Sequence, residues 1–341
     1  MSVNSQPLLQ VDGLSVEMDV PAGLLRAVSD VSFEVGSGKT FCLVGESGCG
    51  KTMTSLALMQ LLPRKARLSA RRILFEGRDL GRMSPREVAR LRGDRLGMIF
   101  QDPMTALNPV YTIGDQLAEV YVRHRRASRR QARDRAVELL ERVGIMSAGQ
   151  RLVQYPHQLS GGLRQRVMIA MTLMCEPSLV IADEPTTALD VTVQVQILQL
   201  LKKLQAEMGM AIILITHNLG VVARMADDVA VMYGGRIVES GSPAQVFGRA
   251  SHPYTRGLMA CMPTRGEAGG AEQRLGSIPG TVPSLVGELE GCAFRNRCGH
   301  AGEACGHGII AMRDAGAGHR YRCVLAAEAG MGRQVAQEAL Q

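Results

Sequence analysis

Four short strings in this chain carry residue types suited to binding and splitting a phosphate anhydride. They are GESGCGKT at 45–52, Gln101 within MIFQDP, LSGGLRQR at 159–166 and VIADEP at 180–185. The first fits G-x-x-x-x-G-K-[ST] at every fixed position, with Gly45, Gly50, Lys51 and Thr52 in place. Glycines let a backbone curl until its N–H groups face phosphate oxygens, and the residues between them (Glu46, Ser47, Gly48 and Cys49) would line that cradle. The helix expected to start at Lys51 and carry Met53 adds its positive N-terminal end. Lys51 is placed to reach the β- and γ-phosphates, and the Thr52 hydroxyl to bind Mg²⁺.

The acids supply the reaction. Asp183 closes an apolar run and suits the Mg²⁺ shell, while Glu184 beside it suits a general base on the attacking water. Adjacent acids are weak evidence alone and become strong about 130 residues after a phosphate loop. Gln101 follows the run LGMIF and is a candidate for the Mg²⁺ and water shell. His217 follows AIILIT and is a candidate contact to the γ-phosphate; isolated, each would read as a structural or surface residue. Ser160, Gly161 and Gly162, with Gln165 in the same string, open a second positive helix end. A plain cap at Ser160 explains the serine but not the whole string. One cassette with two phosphate sites makes sense if each completes the site of a facing copy.

These residues need strand ends and helix starts. Apolar strands alternating with helices predict a mostly parallel sheet covered on both faces, with ligands at the carboxyl ends of its strands. Short strands are expected across 8–44, a helix from Lys51 to about residue 62, helical structure over 112–150, and a helix from the LSGG string to about residue 174. A strand at 179–182, a helix over Val191–Met208 and a strand ending at Thr216 follow. The arginine cluster at 123–135 reads first as the solvated face of a helix and otherwise as a contact for lipid head groups or RNA. Residues 263–285, rich in Gly and Pro, read as loop or linker, and residues 326–341 as a short helix or frayed tail.

Composition sets the bounds. The chain has 341 residues, 46% apolar, with 4% aromatics, no Trp and 19 Met to fill a core. Thirty-nine basic against 32 acidic residues leave +7, which suits phosphates or an anionic membrane surface and does not by itself call for nucleic acid. No run approaches the ~20 apolar residues of a membrane span, and the N-terminus lacks a signal-peptide pattern. The chain is therefore expected in the cytoplasm, with any membrane spans supplied by partners. Of the eight cysteines, Cys42, Cys49, Cys175 and Cys261 are scattered, whereas Cys292, Cys298, Cys305 and Cys323 form C-x5-C-x6-C-x17-C. Four thiolates can hold a [4Fe–4S] cluster or one Zn²⁺, and this spacing names neither.

Together the strings resemble the nucleotide-binding cassette of an ABC transporter over about residues 8–250. GESGCGKT resembles Walker A, Gln101 the Q-loop, LSGGL the signature loop, LVIADE Walker B, Ala188-Leu189-Asp190 the D-loop and His217 the switch histidine. YPHQLSGG, RQRVMIAM, DEPTTALDVTVQ, SHPYTRGLM, SIPGTVPSL and CAFRNRC resemble the oligopeptide/dipeptide importer branch, and specifically its D-type ATPase subunits. The resemblance implies an α/β fold with a P-loop NTPase (RecA-like) core, an antiparallel β subdomain and an α-helical subdomain at about 102–175. It implies a nucleotide-binding domain over 1–262 and a small Cys-containing C-terminal extension over 263–341.

It further implies ATP hydrolysis coupled to import of peptides or a related solute, with ATP and Mg²⁺ as cofactors. The implied partners are two transmembrane permeases, a periplasmic or extracellular solute-binding protein and a second, related F-type ATPase chain forming a heterodimer, with no nucleic acid. Its implied place is peripheral, on the cytoplasmic face of the inner membrane. Some D-type members carry a cluster at such cysteines, which favours [4Fe–4S] over Zn²⁺. Three departures stand out: Leu163 in the signature loop, Asn218 after His217 where Asp is usual, and Ala22 near the position of an adenine-stacking aromatic. A soluble ABC ATPase of DNA repair or translation would need a long coiled-coil insertion or a second cassette, and neither is present. A metal or redox sensor with a vestigial cassette conflicts with intact Lys51, Asp183, Glu184 and His217.

Overall fold

The computed structural model describes residues 6–187, 189–261 and 277–326. Ala188 of the D-loop string, most of the Gly/Pro-rich linker and nearly all of the expected terminal helix lie outside them. The chain forms two interleaved compact units. Among the described residues, one comprises those up to Leu8, Val35–Lys39 and those of 75–215; the other comprises Leu9–Glu34, Thr40–Leu74 and those from Thr216 onward.

In the first unit, strands Leu96–Ile99 and Leu179–Asp183 pair in parallel, and the latter pairs in parallel with Ala211–Thr216. Every residue of the three strands is buried, as expected of apolar runs covered on both faces. The register sets Asp183 opposite Ile215, so Asp183 closes its strand at the carboxyl end.

The region expected to be helical over 112–150 divides into Ile113–Arg125, Arg129–Arg142 and the short Ala148–Arg151. The break has a local cause. Arg126 adopts a left-handed conformation, and Ser128 and Gln131 then form a capping box that restarts the helix. The first two of these helices pack on each other and on Gly161–Thr172, burying Ala132, Ala136, Leu139 and Leu140. The arginine cluster lies on their outer face: Arg123, Arg126, Arg129, Arg130 and Arg133 are exposed. Arg125 pairs with Asp94, and Arg135 with Glu138 and Glu176.

In the second unit, Leu9–Val20 lies beside Gly23–Val35 and pairs antiparallel with Ala66–Ser69. A second group of strands carries the phosphate-loop strand, Thr40–Val44, which pairs in parallel with Asp228–Tyr233. Arg236–Gly241, His319–Tyr321 and Arg313–Gly316 then extend the sheet antiparallel. The Cys-rich tail therefore ends in a hairpin that completes a sheet edge. Those strands are four and three residues long and largely polar, too short for a periodicity to reveal them.

Glu239 holds this edge. It is fully buried, and its carboxylate accepts from the N–H groups of Ser251 and His252 at 2.7 and 3.0 Å, with His319 Nε2 2.7 Å away. One side chain thus ties strand Arg236–Gly241 to the start of helix Pro253–Ala260 and to the C-terminal hairpin. Glu239→Ala would strand two N–H groups and a buried imidazole. We expect it to cost about 3–5 kcal/mol of unfolding free energy, measured by urea denaturation.

Candidate functional site

The phosphate loop is shaped by crowding. Strand Thr40–Val44 ends at Gly45, whose φ is 155°, and a Cβ there would lie 2.2 Å from the Met232 carbonyl oxygen. At Gly50, with φ 106°, a Cβ would lie 2.4 Å from the Ala27 carbonyl oxygen. No side chain fits either position. Between them the chain turns through a Cys49 N–H to Glu46 carbonyl bond, leaving Ser47 and Gly48 exposed at the tip. Helix Lys51–Leu58 starts at once, shorter than the sequence suggested, with Thr52 exposed and Met53 half-buried on its first turn.

Lys51 is 5% exposed, and its Nζ donates to the Gly45 and Glu46 carbonyls at 2.8 and 3.0 Å. Glu46 in turn donates its N–H to Tyr254 Oη and pairs its carboxylate with Arg297. Cys49 and Cys42 are buried thiols raised chiefly by that burial. His217 is exposed immediately after Thr216. Asn218 caps helix Leu219–Met225, its side chain accepting from the Val221 N–H. Asn serves this cap as well as Asp does, so the departure at 218 leaves the local fold intact.

The acidic residues and the second helix end are gathered in the other unit. Asp183 is buried, 3% exposed. Glu184 leaves the strand with φ 45°, its N–H bonded to the Ile215 carbonyl. Its Oε2 accepts from Thr187 Oγ1 at 2.8 Å and from Gln101 Nε2 at 3.5 Å. Ser160 caps helix Gly161–Thr172 through the Leu163 N–H. Gly162 lies close to Val193, where a Cβ would meet Val193 Cγ1 at 3.2 Å. Asp190 caps helix Val191–Met208 through the Val193 N–H. Gln165 points inward, 1% exposed, and donates to the Pro185 carbonyl at 2.6 Å. It ties the LSGG helix to the loop after Glu184.

Sequence reasoning missed Thr187, Tyr233, Tyr254 and Arg297. Tyr254 and Arg297 lie in strings already singled out, SHPYTRGLM and CAFRNRC, but nothing in one sequence pairs them with Glu46 across more than 200 positions.

The cysteine expectation is corrected. Cys292, Cys298, Cys305 and Cys323 do converge, with His252, on a single cavity of about 10 Å³. That volume holds one water and excludes a four-iron cluster. Burial raises the Cys292 and Cys323 thiols. Among the described residues no group of three or more His, Cys, Asp or Glu side chains is placed to hold a metal ion. Neither [4Fe–4S] nor Zn²⁺ is retained.

His252, 1% exposed, accepts the Tyr254 N–H at Nδ1 and is pushed by burial down to about 4 from 6.5. The unfolded chain therefore takes up a proton at this residue between those values while the folded chain does not, and stability falls as pH drops from 6.5 towards 4. We expect wild type to lose about 2–3 kcal/mol more between pH 7 and 4.5 than His252→Asn, which keeps the cap acceptor, in urea titrations at the two pH values.

The glycine-shaped loop after Val44 and the acid pair that closes strand Leu179–Asp183 are the features the sequence led one to expect of a nucleotide-binding cassette, and comparison with known proteins identifies the family. A family described as ABC transporter matches residues 28–187, and one described as oligopeptide/dipeptide transporter, C-terminal region, matches residues 238–305. A putative peptide import ATP-binding protein of Brucella melitensis is 50% identical over 94% of this chain and 98% of its own length. The dipeptide transport ATP-binding protein DppD of Bacillus subtilis is 51% identical over 86% of this chain and 87% of its own. Among solved structures, the cassette MJ0796 in a dimeric post-hydrolysis state with ADP and Pi is similar, with a TM-score of 0.61 at 25% identity. That likeness covers 69% of this chain and 98% of the cassette. The chain belongs to the ATP-binding proteins of peptide-type ABC importers. It is the ATP-binding subunit of such an importer and an ATPase.

Proposed function

We propose that this ATPase drives uptake of oligopeptides, dipeptides or a chemically related solute through two permease subunits. A solute-binding protein delivers the cargo outside. The chain works from the cytoplasmic face of the inner membrane as a peripheral subunit; no helix among the described residues is long and apolar enough to cross a membrane. Its partner cassette is a second, related chain. The N-terminal end of helix Gly161–Thr172, with Ser160, serves the γ-phosphate of the partner's ATP, because the loop at 45–52 already supplies a complete cradle for its own. The dimeric state of the MJ0796 cassette supports this pairing.

Within the chain, Lys51 and the backbone of Gly45 to Thr52 hold the β- and γ-phosphates. Thr52, Asp183 and Gln101 would hold Mg²⁺, which would supply neutralisation of charge on the transferring phosphoryl group. Glu184 accepts the proton of the attacking water, and His217 orients that water against the γ-phosphate. Asp190 holds the loop that the facing cassette reads.

The observation carrying this reading is the setting of Glu184. A left-handed turn directly after a buried aspartate projects its carboxylate beside Gln101 and Thr187, where two hydrogen bonds fix one oxygen. We expect Glu184→Gln to retain ATP binding while losing at least about a hundredfold in turnover, the lower range for loss of a general base. Steady-state phosphate release and fluorescent-nucleotide titration on the same preparation check this, and wild-type-like hydrolysis would refute the assignment.

A further inference from the structure

The C-terminal extension reaches the phosphate loop through one residue. Arg297 ends the turn Arg295–Arg297, directly before Cys298, and 4% of its side chain is exposed. All five guanidinium N–H donors are matched. Nε donates to the Pro279 carbonyl at 3.0 Å. One terminal nitrogen donates to Glu46 Oε2 at 2.6 Å and Tyr233 Oη at 3.3 Å, the other to Glu46 Oε1 at 3.1 Å and the Ile278 carbonyl at 2.9 Å. Its Cζ lies over the Tyr233 ring at 5.9 Å from the centroid and over the Phe294 ring at 6.0 Å. A buried guanidinium is tolerated on these terms, and the bidentate fork fixes the carboxylate in both position and angle.

That carboxylate belongs to the second residue of the loop. Glu46 is held on three sides: its carboxylate by Arg297, its N–H by Tyr254 Oη at 2.9 Å, and its carbonyl by Lys51 Nζ at 3.0 Å. An acid beside a polyphosphate would repel it, and pairing with a buried guanidinium removes most of that repulsion. We propose that Arg297 is a positioning residue for nucleotide binding: its bidentate pair with Glu46 fixes the phosphate-loop backbone and masks the acid, so the C-terminal extension sets how tightly this chain holds ATP. The proposal rests on reading 45–52 as the nucleotide loop.

The test uses the full-length chain and a fluorescent N-methylanthraniloyl ATP. Arg297→Ala should raise its Kd about tenfold, and raise KM for ATP hydrolysis in parallel while kcat changes little. Arg297→Lys keeps a charge but not the fork, so it should fall between. Glu46→Gln removes the unmasked acid, so adding it to Arg297→Ala should recover most of the lost affinity. Equal losses from Arg297→Ala in wild-type and Glu46→Gln backgrounds would make Arg297 a structural strut and overturn the proposal. Should Arg297→Ala not fold, unchanged affinity in Arg297→Lys overturns it as well. Lys51→Ala separates the two readings. If it abolishes binding while both Arg297 variants bind normally, only the clamp fails; if it binds normally, the loop reading fails and takes the clamp with it.

Discussion

The second unit depends on how close two backbones come at the end of one strand. Parallel pairing sets Val44 opposite Val231 and brings the Met232 carbonyl into the space a side chain at position 45 would occupy. The Ala27 carbonyl does the same at position 50. These contacts force the chain between them off its surroundings and into a closed turn. The carbonyls of Gly45 and Glu46 then face Lys51, and a helix begins without a spacer. The glycines are a consequence of sheet register, so the loop is only as well defined as the pairing of 40–44 with 228–233.

That pairing is braced from the far side of the same unit. Glu239, on the next strand, ties together the start of helix Pro253–Ala260 and the C-terminal hairpin. The helix places Tyr254 against Tyr233, with ring centroids 4.5 Å apart, and Phe294 completes the cluster at 5.2 and 5.4 Å. In a chain with 4% aromatics, three of them meet behind the loop. Such contacts add about 0.5–1.5 kcal/mol per pair beyond burial. The two tyrosine hydroxyls bond outside the cluster, Tyr254 accepting from the Glu46 N–H and Tyr233 from Arg297. The aromatic core and the polar clamp are thus one assembly.

What was legible in the sequence follows from what acts locally. The phosphate loop, the strand ends at Asp183 and Thr216, and helix Val191–Met208 are set by glycine geometry, apolar runs and caps within a few residues, and all were readable. The break at Arg126 was readable in principle from the Ser128/Gln131 box but was hidden inside a long arginine-rich stretch. The pairings of Glu46 with Arg297 and Glu239 with His319 were not readable. They join residues 251 and 80 positions apart, and no local rule connects them. The cysteines mislead for a related reason. Their spacing favours a metal site without naming the metal, and only the fold shows that they gather around about 10 Å³.

The same logic of local strain against tertiary restraint governs Glu184. A non-glycine residue in the left-handed region costs roughly 1–2 kcal/mol, so the chain will not adopt it without compensation. Here the N–H of Glu184 takes up the Ile215 carbonyl, extending the pairing of the two strands by one bond past Asp183. Thr187 holds the carboxylate, and Gln165 holds the following carbonyl at Pro185 from a buried position on the LSGG helix. A shift of that helix would reach the Pro185 backbone directly, and with it the residue before. The acid and the second helix end are therefore mechanically one piece within their unit. Any force that moves the Ser160 helix end is felt at Glu184, which is the property that the proposed pairing with a facing cassette requires.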